Sequence, residues 1–295
     1  MTTATPTLYA ATGDAIARVS DGRVELLLEG SGARCLAITP DGTLFAGGPR
    51  GVFRGDGTLV FEGDVFSVAV GSDGTVYAGC EPSALHRSGD GGETWRELSA
   101  LLELPSRPTW SFPPRPWTSH VRWIAPSPHD AGLLLVGIEL GGLMRSTDGG
   151  ETWDDHRPGA QPDVHTLAWH PADPGRAFEA GGGGAAWSED GGDTWMAADD
   201  GRDRNYCWAV AAHEYTWWVS ASTGPFAAHG RGDPQAKLFR RDGGGPWREV
   251  RGFDSMPYAL AVADGQLLVG LRDGRILAGD EVVARVPALH ALVAA

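Results

Sequence analysis

The sequence is poor in several residue types. Lys237 is the one lysine among 24 basic residues, which face 38 acidic ones for a net charge of −14. No basic cluster exceeds a pair such as Arg240-Arg241. Neutralising phosphates takes a dense basic surface, so a nucleic-acid partner is not expected. Cysteine is scarce. Cys35, Cys80 and Cys207 are odd in number, far apart and outside any Cys-x-x-Cys spacing, which speaks against a disulfide framework or a thiolate zinc site. Long apolar runs are missing too: the longest, Ala131 to Ile138, falls far short of the ~20 residues a membrane helix needs. Met1 to Pro6 shows no basic region followed by an apolar one, so no signal peptide is read there. These absences together lead to the expectation of a soluble, cytoplasmic chain with no membrane partner.

Glycine and tryptophan, by contrast, are plentiful. The 295 residues include 43 Gly, 20 Pro and 12 Trp, with 42% hydrophobic content. That apolar fraction argues for a folded chain, so the glycines and tryptophans call for many tight turns and repeated aromatic packing sites. An internal repeat supplies both. Ser88-Gly-Asp90-Gly-Gly92-Glu-Thr-Trp95 recurs as Ser146-Thr-Asp148-Gly-Gly150-Glu-Thr-Trp153 and as Ser188-Glu-Asp190-Gly-Gly192-Asp-Thr-Trp195. A copy without the serine spans Arg240 to Trp247, and a decayed one spans Arg54 to Phe61. In such a turn Asp and Ser bond nearby backbone, Gly supplies positive φ and Trp packs between sheets, so these residues read as structural.

Around each copy the chain shows short apolar strands separated by turn signals, in units matching the ~40–45 residues of a four-stranded propeller blade. First strands read at Arg34–Thr39, Phe66–Val70, Arg122–Ala125, His165–Trp169, Cys207–Ala211 and Tyr258–Val262. A seventh, at His290–Ala295, has no second strand after it, while Thr7–Ala11 is a second strand without a first. The expected fold is therefore all-β: one domain over residues 1–295, a seven-bladed β-propeller of four-stranded antiparallel blades. Its ring is closed by pairing of the N- and C-terminal segments, which leaves no large exposed edge. We number as blade one the blade that the termini share.

The pattern Ser-x-Asp-x-Gly-x-x-Trp resembles the Asp-box, or bacterial neuraminidase repeat. Nearly the whole chain is similar to Asp-box propellers, which include sialidases, xyloglucan-active glycosidases, sortilin ectodomains and the photosystem II assembly factor. Gly137-Ile-Glu-Leu-Gly-Gly142, Asp163-Val-His165 and His170-Pro171 also look like bacterial BNR-repeat proteins of sialidase- or glycosidase-like type. The resemblance implies that the repeats sit on the blade rim and are not catalytic. The Arg-Ile-Pro motif of sialidases does not occur here, and no motif matches their catalytic set residue by residue.

In propellers the first strands line a central channel, and two insertions, 103–119 and 222–236, are expected on the face where it opens. The first is rich in Pro and carries Trp110, Phe112 and Trp117; long loops of this kind are usually functional or disordered. Alignment of the first strands places Arg34, Phe66, Arg122, His165, Cys207, Tyr258 and His290 at the mouth, with His120, Asp163 and Tyr206 just upstream. Ends of second strands add Glu81, Glu139 and Arg272. Trp110 and Trp117 could stack on a sugar or aromatic ligand, whereas Trp123, Trp169, Trp208, Trp217 and Trp218 read mostly as core.

Three chemistries fit this set. Arg34, Arg122 and Arg272 could clamp a carboxylate or phosphate. Glu81, Glu139 and Asp163 could supply a paired acid and base for glycoside cleavage. His120, His165 and Glu139 or Asp163 could hold a divalent metal. Each has a structural rival: arginines paired with those carboxylates, hydrogen-bonded interior histidines, and a Cys207 that is simply buried. The favoured expectation is a mouth that binds a small polar or anionic ligand of carbohydrate or carboxylate type. Hydrolysis or elimination there would use Glu139, Asp163 and His165. The alternative is a non-catalytic scaffold that docks another protein.

Overall fold

The computed structural model describes residues 6–295; the first five, on which the signal-peptide expectation partly rests, lie outside the described residues. The described residues form seven antiparallel sheets. The first strands are Cys35–Ile38, Val65–Val70, Val121–Pro126, Val164–Trp169, Tyr206–His213, Pro257–Ala263 and Ala291–Ala294. Each packs beside the first strands of its two neighbours, and the last returns to the first, so the sheets form a closed seven-bladed propeller. Closure is direct: Ala291–Ala294 pairs with Leu8–Ala11, with Leu8 opposite Ala294 and Ala11 opposite Ala291. Neither end of the ring is left as an open edge for another chain to pair with.

The cores lie between blades. In one, Tyr77 and Leu85 of blade three meet Val136, Ile138 and Met144 of blade four; in another, Phe178 of blade five meets Val210, Val219 and Phe239 of blade six. Each fully buried Leu or Phe contributes about 1.5–3 kcal/mol, so stability is spread around the ring.

The turn repeats act as staples. In blade three, Ser88 Oγ accepts the Gly92 N–H at 2.8 Å and donates to Asp90 Oδ1 at 2.7 Å. Asp90 accepts the Thr94 N–H and hydroxyl at 2.9 and 2.5 Å, and Trp95 Nε1 donates to Gly92 O at 3.1 Å. The bonds from Thr94 and Ser88 hold the Asp90 carboxyl down at about 2. Blades four and five repeat the network around Asp148 and Asp190. The copy lacking serine is anchored differently, with Trp247 Nε1 donating 2.6 Å across the blade boundary to Ala198 O.

Blade four departs from four full strands. Its outermost strand is reduced to a bridge between Arg145 and Asp154. The chain there is drawn toward the first insertion, because Asp155 accepts the Ser106 N–H at 2.9 Å and bonds its hydroxyl, while His156 Nδ1 accepts the Leu143 N–H at 3.1 Å.

One irregularity recurs where the first strands begin. The register skips Phe66, Arg122, His165 and Tyr258, and in blade six Trp208 and Ala209 together face one partner. A β-bulge leaves its extra residue unpaired and re-aims its side chain. In blades three, four, six and seven this bulge aims a side chain at the channel, whereas in blade five it leaves His165 buried. No helix of the described residues is long and apolar enough to cross a membrane.

Candidate functional site

Four bulges, at Phe66, Arg122, Trp208 and Tyr258, build much of the site, and Arg34 and His290 join them from the ends of regularly paired first strands. Arg34, Phe66, Arg122, Trp208, Tyr258 and His290, one from each of six blades, line both a mouth cavity of about 680 Å³ and a narrower cavity of about 170 Å³ below it. They form a collar between the two. Blade six contributes Trp208 where the sequence alignment placed Cys207. Cys207 is the paired residue just before the bulge, opposite Ala221 as Val65 is opposite Cys80, so it points into the core between blades five and six, where burial pushes its thiol up to about 12. In the remaining blade, blade five, His165 withdraws into the wall.

Both insertions reach the cavity. Phe112, Pro113 and Pro114 come from the first, and Pro225, Phe226 and His229 from the second, where the short helix Pro225–His229 leans over the mouth. Pro225 at its first position pre-sets the helical φ, and Gly230 follows its end. His229 links the walls: Tyr206 Oη lies 2.9 Å from its Nε2, and Tyr258 Oη lies 2.8 Å from its Nδ1. Burial, with His165 and Arg122 nearby, lowers the His229 imidazole to about 4, so it is neutral near pH 7.

Polar groups gather on one side of the cavity. His120 Nε2 donates to Glu139 Oε2 at 3.0 Å, and Arg122 Nε lies 3.6 Å from the same oxygen. His120 is stacked on Phe66 and edge-on to Phe112. Behind it, Glu81 Oε2 lies 3.7 Å from His120 Nδ1 and is held by Arg115 through bonds of 2.8 and 2.5 Å. Burial alone would raise the Glu139 carboxyl, but the His120 bond and the Arg122 charge outweigh it and hold it at about 2. Next to it stand Asp163 and His165, and one donor atom from each of Glu139, Asp163 and His165 lies within 4.8 Å of the other two. Gly182 makes room for this arrangement: a Cβ there would sit 2.0 Å from Asp163 Oδ2. Four buried polar atoms in this group have no hydrogen-bond partner among the described residues, namely His120 Nδ1, Arg122 Nε, Asp163 Oδ1 and His165 Nε2.

The structure thus brings together Arg34, His120, Arg122, Glu139, Asp163, Tyr206, Tyr258 and His290 around the mouth cavity, with His165 in its wall. It places four other expected residues elsewhere. Trp110 is 6% exposed, packed against Ile138 in the core, and its indole N–H donates to Ser106 Oγ at 2.9 Å. Trp117 is 80% exposed and borders a separate groove that also contains Glu81. Arg272 lies outside the cavity and donates to Gly230 O at 2.8 Å. The three-arginine clamp does not form, because Arg34 is already paired with Asp64 and with Val65 O. Trp208, His229 and Phe226 were not singled out as site residues from the sequence. A spacing of two from Tyr206 was the available signal for Trp208, since alternate strand residues share a face.

No protein-family model and no curated protein matches the chain. Solved structures do resemble it. A GH74 xyloglucanase from Xanthomonas campestris superposes with a TM-score of 0.66 at 17% identity, over 90% of this chain and 48% of that one. An ancestral GH74 enzyme gives 0.62 at 14% identity, over 92% of this chain and 37% of that one. YCF48 bound to a D1 peptide gives 0.58 at 15% identity, over 94% and 83%. The chain therefore spans less than half of either GH74 chain. At these identities the likeness is one of fold.

Proposed function

We propose that the mouth cavity binds a small, hydroxyl-bearing ring compound of carbohydrate type, and that binding is the principal activity. The observation that carries this reading is the pairing of aromatic walls with unpartnered polar atoms in one cavity of about 680 Å³. That volume is within the roughly 300–1,000 Å³ usual for small-molecule sites. Trp208, Tyr206 and Tyr258 line the cavity with aromatic surface, the Arg122 guanidinium lying over Trp208 at 4.6 Å from its ring centroid, while Asp163 and Glu139 can accept from hydroxyls and Arg122 can donate to them. With Arg34 neutralised by Asp64, the cavity favours a neutral polyhydroxy ligand over an anionic one. The Asp-box resemblance and the GH74 likeness are in keeping with a sugar ligand.

Binding is favoured over two-carboxylate glycoside hydrolysis for two reasons. A Glu139 carboxyl held near 2 has no proton to give at neutral pH. The Glu139 and Asp163 oxygens also lie within 4.8 Å of each other, which leaves no room for the attacking water of inverting enzymes (roughly 6.5–9.5 Å) and approaches only the roughly 5–5.5 Å retaining spacing, where a carboxyl must still supply a proton. A protein partner is the second reading, favoured by Phe226 at the lip of the mouth and Trp117 on the separate groove, which are 95% and 80% exposed.

Calorimetric titration with neutral mono- and disaccharides tests the proposal. At least one should bind, and Trp208→Ala and Asp163→Asn should each weaken it tenfold or more at nearly unchanged melting temperature. If no saccharide binds while a co-purifying protein is lost on Phe226→Ser, the docking reading replaces it.

A further inference from the structure

We infer that Glu139, Asp163 and His165 form a site for one divalent transition-metal ion of the zinc–manganese class in the wall of the mouth cavity; this deepens the reading of the mouth as the binding site. His165 is fully buried, and its Nδ1 lies 2.6 Å from the Cys207 carbonyl oxygen. A carbonyl can only accept, so Nδ1 carries a proton and Nε2 is the ring nitrogen turned toward Asp163, the one that presents a lone pair in a neutral imidazole. That Nε2 has no hydrogen-bond partner and lies 3.5 Å from Asp163 Oδ2, and Asp163 Oδ1 is also unpartnered. A buried imidazole nitrogen and two half-buried carboxylates therefore face one another, an arrangement that a cation standing between them would satisfy.

The donor set points to the kind of cation. One neutral imidazole and two carboxylates suit first-row ions such as Zn²⁺ or Mn²⁺, whereas Ca²⁺ prefers six to eight oxygens. Two carboxylates balance a dication. Ligand atoms sharing one zinc sit about 3.3 Å apart, given bond lengths of about 2.0–2.1 Å. The Asp163–His165 pair, at 3.5 Å, is close to that spacing already. Groups one step removed hold the ligands: His120 bonds one oxygen of Glu139 and leaves the other free, and the Cys207 carbonyl fixes the His165 tautomer. Three protein ligands leave coordination positions toward the cavity, where water or ligand hydroxyls complete the shell.

The test uses the full chain stripped with a chelator and titrated with Zn²⁺ alone by calorimetry. One equivalent should bind, and Glu139→Gln, Asp163→Asn and His165→Gln should each weaken it at least tenfold, while His213→Gln, remote from the site, should not. No binding by the unaltered chain, or equal binding in all three variants, overturns the proposal. Should the variants fail to fold, the unaltered chain still decides by histidine ¹⁵N spectroscopy. A His165 Nε2 resonance that moves on adding Zn²⁺ supports the site; a His165 protonated on both nitrogens and unmoved by Zn²⁺ means that a proton closes the gap, and the proposal fails. Saccharide titration of the metal-free chain is scored separately, so loss of sugar binding with Zn²⁺ binding intact counts against the ligand reading alone.

Discussion

His120 and Glu139 form the hydrogen bond on which the mouth's polar side is organised, Nε2 donating to Oε2 at 3.0 Å with both side chains largely shielded from water. Replacing His120 by Leu leaves a largely buried carboxylate short of a donor, which should cost about 1–3 kcal/mol in urea unfolding at pH 7. Saccharide affinity should fall with it, because Glu139 is then free to turn. A variant as stable as the parent would show that the bond carries no strain of the site.

Gly182 should matter through space alone. A methyl group there would lie 2.0 Å from Asp163 Oδ2, so Gly182→Ala must displace the Asp163 carboxylate. Saccharide binding should weaken at least tenfold, with a stability loss of about 1–3 kcal/mol from crowding. Gly232→Ala, with nothing within 4 Å of its added carbon, is the control and should change neither.

The staples make their own prediction. Ser146→Ala removes the acceptor of the buried Gly150 N–H, which should cost about 1–3 kcal/mol. The staple aspartates also set an acid limit. Bonds from Thr152 and Ser146 hold Asp148 at about 2, below its ordinary 3.8. A depressed carboxyl adds stability that is complete above its unfolded pKa and is lost as pH falls through the folded one. Melting temperature should therefore drop between pH 4 and pH 2, and Asp148→Asn should flatten that part of the curve.

Glu179 has the opposite sign. It is fully buried in the second strand of blade five, where burial raises its carboxyl from 4.5 to about 8, and the Gln161 N–H bond offsets this only in part. Between those values the unfolded chain has lost the proton and the folded chain keeps it, so stability falls as pH rises from 4.5 to 8 and then levels. Glu179→Gln should abolish this slope, a gain of about 3–5 kcal/mol at pH 9 that shrinks toward zero near pH 4.5. Unfolding curves at the two pH values check it, and a gain independent of pH would refute the assignment.

The ring was legible because its determinants are local. The Ser-x-Asp-x-Gly-x-x-Trp turns carry their hydrogen bonds within eight residues, and the lone strand at each end of the chain has one partner available, the other. The site was less legible because its determinants are long-range. Trp110 lies in a proline-rich insertion and reads as exposed, yet Ser106 and Asp155, 49 positions apart, fold that loop back and seat the indole against Gly141 and the core. Trp208 reads as core when Cys207 is placed at the mouth; Cys207 instead pairs with Ala221, and the bulge that follows it turns Trp208 to the channel. His229 gains its role only through Tyr206 and Tyr258, which come from first strands of two adjacent blades. Arg34 and Arg272 read either as a clamp or as partners of the mouth carboxylates, and the acceptors they take instead, Asp64 and Gly230 O, cannot be inferred from spacing.

The most direct test is a crystal structure of the chain with the tightest-binding saccharide of the calorimetric panel. The sugar should lie in the mouth cavity, with one ring face on Trp208 and hydroxyls within hydrogen-bond distance of Asp163 and Glu139. A saccharide bound on the outer rim, or at the opposite end of the channel with the mouth filled only by solvent, would contradict the account.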